Sequence, residues 1–293
     1  MTIFDAILQG IVQGLTEFLP VSSSGHLSLI QHFTGQGGEA GGSFSIMLHF
    51  GTLIAVFIAF WPTIWALIKE AFAMLGDLFK GKLRFKTDNP QRKMIWMLFL
   101  ALIPLALVLP IKDFYSSLSE DDSIIAEGIC FLITAALLLL SDKIVKGKKG
   151  PLEMKGRDAL AVGIAQAIAP LPGVSRSGST ICTGLLMGLS REHAVAFSFI
   201  LGIPAVLGAN LLEVLDILEG TAPTFPLPVL LTGMLVSAVV GLLAIWMVKV
   251  LVNNDRFRYF GYYTAVLGVI VLAIGIYEYF SSTVFHTVFV FTR

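Results

Sequence analysis

Long apolar runs, and the places where they are interrupted, give the first outline of this chain. Six segments, at roughly 43–68, 94–111, 124–140, 194–212, 227–250 and 260–280, read as membrane spans, since a hydrocarbon core of about 30 Å takes about 20 helical residues. Two other apolar segments, 3–33 and 158–190, are each broken in the middle by a cluster of Pro, Ser and Gly. Neither half of either segment is long enough to cross. The pattern predicts a helix, a loop and a second helix that enter and leave on the same side, because irregular backbone at membrane depth is tolerated only inside protein or against a water-filled cavity.

Composition agrees with that outline and narrows the class. Hydrophobic residues make up 56% of the 293 and charged residues 14%, against about 25% charged in an average soluble domain. The expected fold class is an all-α polytopic membrane protein in the lipid bilayer, with no separate soluble domain. The formal net charge is zero, so bulk charge gives no reason to expect a nucleic-acid partner. Cys130 and Cys182 lie in apolar surroundings and read as inert buried thiols. Near the N-terminus the chain carries Asp5 where a signal peptide would have a basic region, which argues against a cleaved leader.

The two broken segments are copies of one another. At an offset of 153 residues Asp5 meets Asp158, Gly10 meets Gly163, Gln13 meets Gln166, Ser22 meets Ser175, Ser24 meets Ser177 and Gly25 meets Gly178; 14 of the 44 positions from 5 to 48 are identical, where composition alone gives about three. The single membrane domain is thus expected to hold two repeats, 1–140 and 154–280. Each contains one re-entrant pair (3–33 and 158–190) and three spans, six in all. An odd number of crossings per half makes the repeat inverted. Loop charges agree: 69–93 carries seven Lys and Arg, 141–157 six, and 249–258 has Lys249, Arg256 and Arg258, whereas 112–123 holds Asp113, Glu120, Asp121 and Asp122 and 213–226 holds Glu213, Asp216 and Glu219. With the basic loops inside, both termini fall on the extracytoplasmic side.

The candidate chemistry sits at the two breaks. Asp5, Gln9, Gln13 and Glu17 recur every four residues and draw a polar stripe along an otherwise apolar helix. A carboxylate at membrane depth is costly and usually lines a cavity, which singles out Glu17 next to the break. PVSSSGH at 20–26 and PGVSRSGST at 172–180 present hydroxyls and backbone N–H groups at a helix start, the makings of an anion site. The first loop supplies Ser22, Ser23, Ser24, Gly25 and His26. The second supplies Ser175, Arg176, Ser177 and Gly178, and the guanidinium suits phosphate oxygens. Three schemes are open at this point: Ser23 as nucleophile with His26 or Glu17 as base, His26 as nucleophile, or metal-bound water with Glu17 as a metal ligand. His49 and Glu127 are intramembrane but weigh less, and His32, His193 and His286 receive no role.

QGLTEFLPVSSSGH (13–26) and PGVSRSGST (172–180), with the flanking FSIMLHFGT and FSFILGIP, resemble the signature regions of the bacterial undecaprenyl-diphosphate phosphatases, also called bacitracin-resistance proteins. The likeness covers nearly the whole chain. It implies a hydrolase of the cytoplasmic (inner) membrane that converts undecaprenyl diphosphate to undecaprenyl phosphate and inorganic phosphate, recycling the carrier lipid for peptidoglycan and conferring bacitracin resistance. The family's pair of acidic or amide residues falls on Gln13 and Glu17, its histidine on His26, and its second motif on Pro172, Gly173, Ser175, Arg176, Ser177 and Thr180. Stimulation by Mg²⁺ or Ca²⁺ is implied by the resemblance, and a homodimer stays open. A transporter or flippase of an anionic isoprenoid lipid is the alternative, since inverted repeats with broken helices are also a transporter architecture. The glycine-rich stretch 35–42 and the tail after Phe280 are less typical of the family.

Overall fold

A computed structural model describes residues 1–108, 110, 123–142, 147–253 and 257–290. Among these residues the regular structure is eleven helices and one isolated β-bridge between Lys149 and Leu189. In chain order they are α1 (Ile3–Phe18), α2 (Ser23–Thr34), α3 (Gly38–Ala59), α4 (Trp61–Phe79), α5 (Pro90–Val108), α6 (Ile125–Asp142), α7 (Gly156–Ile168), α8 (Arg176–Leu186), α9 (Arg191–Glu219), α10 (Leu227–Asn253) and α11 (Phe257–Val290). Five of them, α3, α5, α9, α10 and α11, contain stretches long and apolar enough to cross a bilayer, and α6 has a shorter apolar stretch, Ile125–Ser141. Among the described residues the chain is all-helical, and it is a multi-pass membrane protein.

Both expected breaks are present. α1 stops at Phe18 and α2 starts at Ser23; α7 stops at Ile168 and α8 starts at Arg176. The equivalent serines cap the second helix of each pair, Ser22 Oγ accepting from Gly25 N (3.3 Å) and Ser175 Oγ from Gly178 N (3.0 Å). One expected span is redrawn. The apolar run 43–68 is divided at Phe60, because Pro62 has no N–H to donate and fits the first turn of a new helix rather than the interior of an old one. α4 then carries the run onward with Trp61, Trp65, Phe72, Leu75, Leu78 and Phe79 exposed, so hydrophobicity alone could not mark the division. The glycine-rich stretch largely belongs to the start of α3, and the segment after Phe280 continues α11. Asp113, Glu120, Asp121, Asp122 and Arg256 lie outside the described residues.

Packing joins each broken segment to the opposite half of the chain. α1 lies against α10, α7 against α5, and α6 against α11, while α3 touches both α9 and α10. The repeat-related Gly10 and Gly163 mark two of these crossings. A Cβ on Gly10 would come within 2.7 Å of Gly233 O, and one on Gly163 would collide with Ala101 O. Small residues at such points let helix backbones approach where lipid offers no hydrophobic drive. Beside the first break, Phe18 and Phe60 both meet Phe199 edge-on, at 5.3 and 5.8 Å between ring centroids. This buried aromatic cluster fixes the end of α1 next to α9.

Candidate active site

The two breaks pack against each other through glycine. A Cβ on Gly25 would lie 2.8 Å from Gly173 Cα, and one on Gly178 would lie 3.3 Å from Pro20 Cβ. Gly173 itself has φ +92°, a left-handed conformation that glycine adopts without penalty. In the first loop Ser22 has φ +71° without being glycine; such backbone costs on the order of 1–3 kcal/mol and persists where its surroundings dictate it. The second loop is pinned by α6: Thr134 Oγ1 donates to Gly173 O and accepts from Ser175 N, both at 3.0 Å.

Where the loops meet, a cavity of about 250 Å³ is lined by Glu17, Ser23, Ser24, His49, Ser175, Arg176 and Ser177 among others. Glu17 is its centre of charge and is 6% exposed. Its Oε2 accepts from Ser23 Oγ at 2.7 Å and from Gln13 Nε2 at 3.0 Å, and faces His49 Nε2 at 3.3 Å. Its Oε1 pairs with Arg176 Nη2. His49 Nδ1 donates to Ser45 O at 2.7 Å, one turn back in α3, which aims Nε2 at the carboxylate. A hydroxyl, a carboxylate and a guanidinium thus converge from three separate elements, beside the N-termini of α2 and α8.

Of the four catalytic candidates from sequence, the structure gathers Glu17, Ser23 and Arg176. His26 stands apart from the cavity lining. Its Nδ1 donates to Ser22 O (2.6 Å) and its Nε2 meets Tyr263 OH (2.7 Å), with the two rings stacked 5.8 Å apart and Phe131 edge-on at 5.3 Å. Among the binding candidates, Gln13 touches Glu17, while Ser24, Ser175 and Ser177 line the cavity. Ser22, Gly25, Gly173 and Gly178 shape the turns. Thr180 lies behind them, its Oγ1 donating to Arg176 O at 2.7 Å with Ser198 Oγ 2.6 Å away.

Three contributors were not among the principal sequence candidates. Thr134 had no motif to mark it. His49 was visible as an intramembrane histidine; Gly202, 153 positions further on, carried no chemical signal of its own. Their pairing has a geometric consequence: a Cβ on Gly202 would collide with Arg176 Nη1. The first repeat places an imidazole on the carboxylate, and the second leaves that position bare so that a guanidinium can pass.

The donor set also bears on a divalent cation. Among the described residues no three His, Cys, Asp or Glu side chains cluster as metal ligands, so no all-protein cage exists there. Gln13 Oε1, fully buried and without a hydrogen-bond partner among the described residues, adjoins Glu17. Gln13 Oε1 is one free oxygen of the kind a hard cation takes, whereas both Glu17 oxygens are engaged by Ser23, Gln13, His49 and Arg176, so a divalent cation would exchange one of these contacts and take most of its ligands from phosphate and water.

Comparison with known proteins places the chain in a lineage. Residues 6–270 match a family model described as bacitracin resistance protein BacA. The undecaprenyl-diphosphatase of Alkaliphilus metalliredigens is 42% identical over 273 residues, covering 93% of this chain and 98% of the relative. That of Methanosphaera stadtmanae is 38% identical over 282 residues (94% and 99%), and an undecaprenyl-diphosphatase 4 of Bacillus cereus is 36% identical over 282 residues (96% and 100%). With both breaks and the helices between them inside one matched region, the chain belongs to the bacitracin resistance protein BacA family.

Proposed function

We propose that this protein hydrolyses undecaprenyl diphosphate to undecaprenyl phosphate and inorganic phosphate, with Ser23 as the nucleophile, Glu17 as its base and Arg176 as the phosphate clamp. The observation that carries this reading is the hydrogen bond from Ser23 Oγ to Glu17 Oε2 at 2.7 Å, beside Arg176 in a cavity flanked by two helix N-termini. As Ser23 Oγ attacks the terminal phosphorus, its proton passes to Glu17 and the anhydride P–O bond breaks, releasing the lipid monophosphate. Glu17 gives that proton up with the departing monophosphate; water then attacks the phosphoserine, its proton passing to Glu17, and as the serine O–P bond breaks Glu17 returns a proton to Ser23 Oγ and inorganic phosphate departs. Arg176 has further N–H donors beyond the one on Glu17, and the amides at the starts of α2 and α8 add partial positive charge where charge develops on the phosphoryl oxygens. His26, held between Ser22 and Tyr263, braces the loop from behind.

Gln13 Oε1 and Glu17 are the residues that would hold Mg²⁺ or Ca²⁺ alongside the diphosphate; when bound, the ion neutralises phosphate charge.

The membrane arrangement proposed is six spans, α6 being the sixth, with α1–α2 and α7–α8 as re-entrant pairs of an inverted repeat (1–140 and 154–280) in the cytoplasmic membrane. Three features support it: the identity at offset 153, the matching caps at Ser22 and Ser175, and the reciprocal packing of α1 on α10 and α7 on α5. Both termini then face outward.

Purified protein given farnesyl or undecaprenyl diphosphate is expected to release inorganic phosphate, and Arg176→Ala to lose at least about 10²-fold in kcat/KM while still folding. If Arg176→Ala turns over normally, the clamp is misassigned. If wild-type protein moves the lipid across liposomes without cleaving it, the transporter reading replaces this one.

A further inference from the structure

Part of the cavity lining is apolar apart from two amides. Leu105 from α5, with Ala205, Val206 and Ala209 from α9, makes up much of it, and Gln166 and Asn210 interrupt it. Gln166 is 2% exposed and neither its Nε2 nor its Oε1 has a hydrogen-bond partner among the described residues. Asn210 is 6% exposed; its Nδ2 donates to Val206 O at 3.0 Å and its Oδ1 is without a partner among the described residues. Leaving such groups unpaired costs about 1–3 kcal/mol each, and most buried polar groups avoid it. A purely structural wall would have used leucine. Gln166 is also the repeat counterpart of Gln13, so the duplication sets one glutamine on each half of the site: Gln13 bonded to Glu17, Gln166 bonded to nothing described.

We propose that Gln166 and Asn210 form a second phosphate subsite, which holds the phosphate that stays on the lipid while Ser23, Glu17 and Arg176 act on the terminal one. This rests on the phosphatase reading above. Gln166 Nε2 donates to the ionised oxygens of the inner phosphate, and the amide oxygens accept from water carried with it. Neutral donors suit this place. A second guanidinium here would hold the monophosphate product as firmly as the substrate, whereas amides orient it and let it leave. Beyond the amides, the leucine, valine and alanine wall matches the first isoprene unit.

The test compares wild type with Gln166→Leu, Gln166→Glu and Asn210→Leu, using farnesyl diphosphate as substrate and farnesyl phosphate and inorganic phosphate as inhibitors. The leucine variants are expected to raise both the KM for farnesyl diphosphate and the Ki for farnesyl phosphate about tenfold. The Ki for inorganic phosphate stays near wild type, and the larger part of the loss falls in KM. Gln166→Glu, isosteric and anionic, raises both constants further. Melting temperature should hold or rise in Gln166→Leu, since an unpaired buried amide has been removed. A rise confined to the Ki for inorganic phosphate would place the leaving phosphate at the amides and overturn the proposal, as would unchanged constants in all three variants. If wild type releases no phosphate, the phosphatase reading fails by itself, and calorimetric titration of farnesyl phosphate into the same proteins still decides whether the amides bind it.

Discussion

Glu17 is held by Gln13, Ser23, His49 and Arg176 at once, and each of these partners sets a different property of the site. Glu17→Gln preserves shape while removing the proton acceptor, so kcat should fall by about 10²–10⁴-fold, measured as phosphate release at saturating substrate. The partly buried Arg176 charge then loses its partner, and a lower melting temperature should accompany the lost activity. Gly202→Ala tests the opposite side of the same pair. The added methyl collides with Arg176 Nη1, the movable end of a long side chain, so the arginine yields before the backbone does. Its expected signature is lost activity with a lowered melting temperature, since the displaced guanidinium leaves the buried Glu17 carboxylate short of its partner, and no additional loss of activity when Gly202→Ala is combined with Arg176→Ala. Sequence pattern made Glu17, Ser23 and Arg176 legible because each is chemically out of place in an apolar chain. Gly202 was not, because the absence of a side chain has meaning only beside the guanidinium that uses the space. His26 stood in the motif as a reactive group, yet both its nitrogens are engaged by Ser22 and Tyr263, and Tyr263 is 237 residues away in sequence.

At the scale of elements, the broken helices depend on what holds the loops. Thr134 is the support for the second loop, since one hydroxyl serves both Gly173 O and Ser175 N. Thr134→Val keeps the volume and strands both groups, which should cost about 1–3 kcal/mol in a thermal or denaturant melt. Activity should fall too, because Ser175 caps the helix that begins with Arg176. Both breaks could be placed from Pro, Ser and Gly clusters, whose local chemistry ends a helix whatever surrounds it. The end of α3 at Ala59 could not, because the apolar run passes through Phe60 into α4 with no polar residue to signal the turn. Pro62 was the available sign. Its effect depends on whether a helix starts or continues there, and hydropathy is silent on that choice.

For the whole molecule, the proposed duplication would account for an anion site built from modest parts. Each copy contributes a capped turn and a short helix aimed at the same cavity, and divergence assigned the copies different tasks: Ser23 where its counterpart has Arg176, His49 where its counterpart has Gly202. The identity at offset 153 stands out in the sequence because the turn residues themselves are retained. Which helices meet does not, since α1 on α10 and α7 on α5 are contacts between halves. The proposed topology makes a labelling prediction: in protein with Cys130 and Cys182 replaced, a single cysteine at Thr2 should react with an impermeant maleimide added outside intact cells, and one at Lys86 should react only after lysis. The reverse pattern would invert the orientation. The central claim, that Ser23 activated by Glu17 attacks the terminal phosphate, is tested most directly by single-turnover phosphate release from farnesyl diphosphate in wild type and Ser23→Ala. The account predicts that Ser23→Ala still binds the lipid but releases phosphate at least about 10³-fold more slowly, whereas release at near the wild-type rate would contradict it.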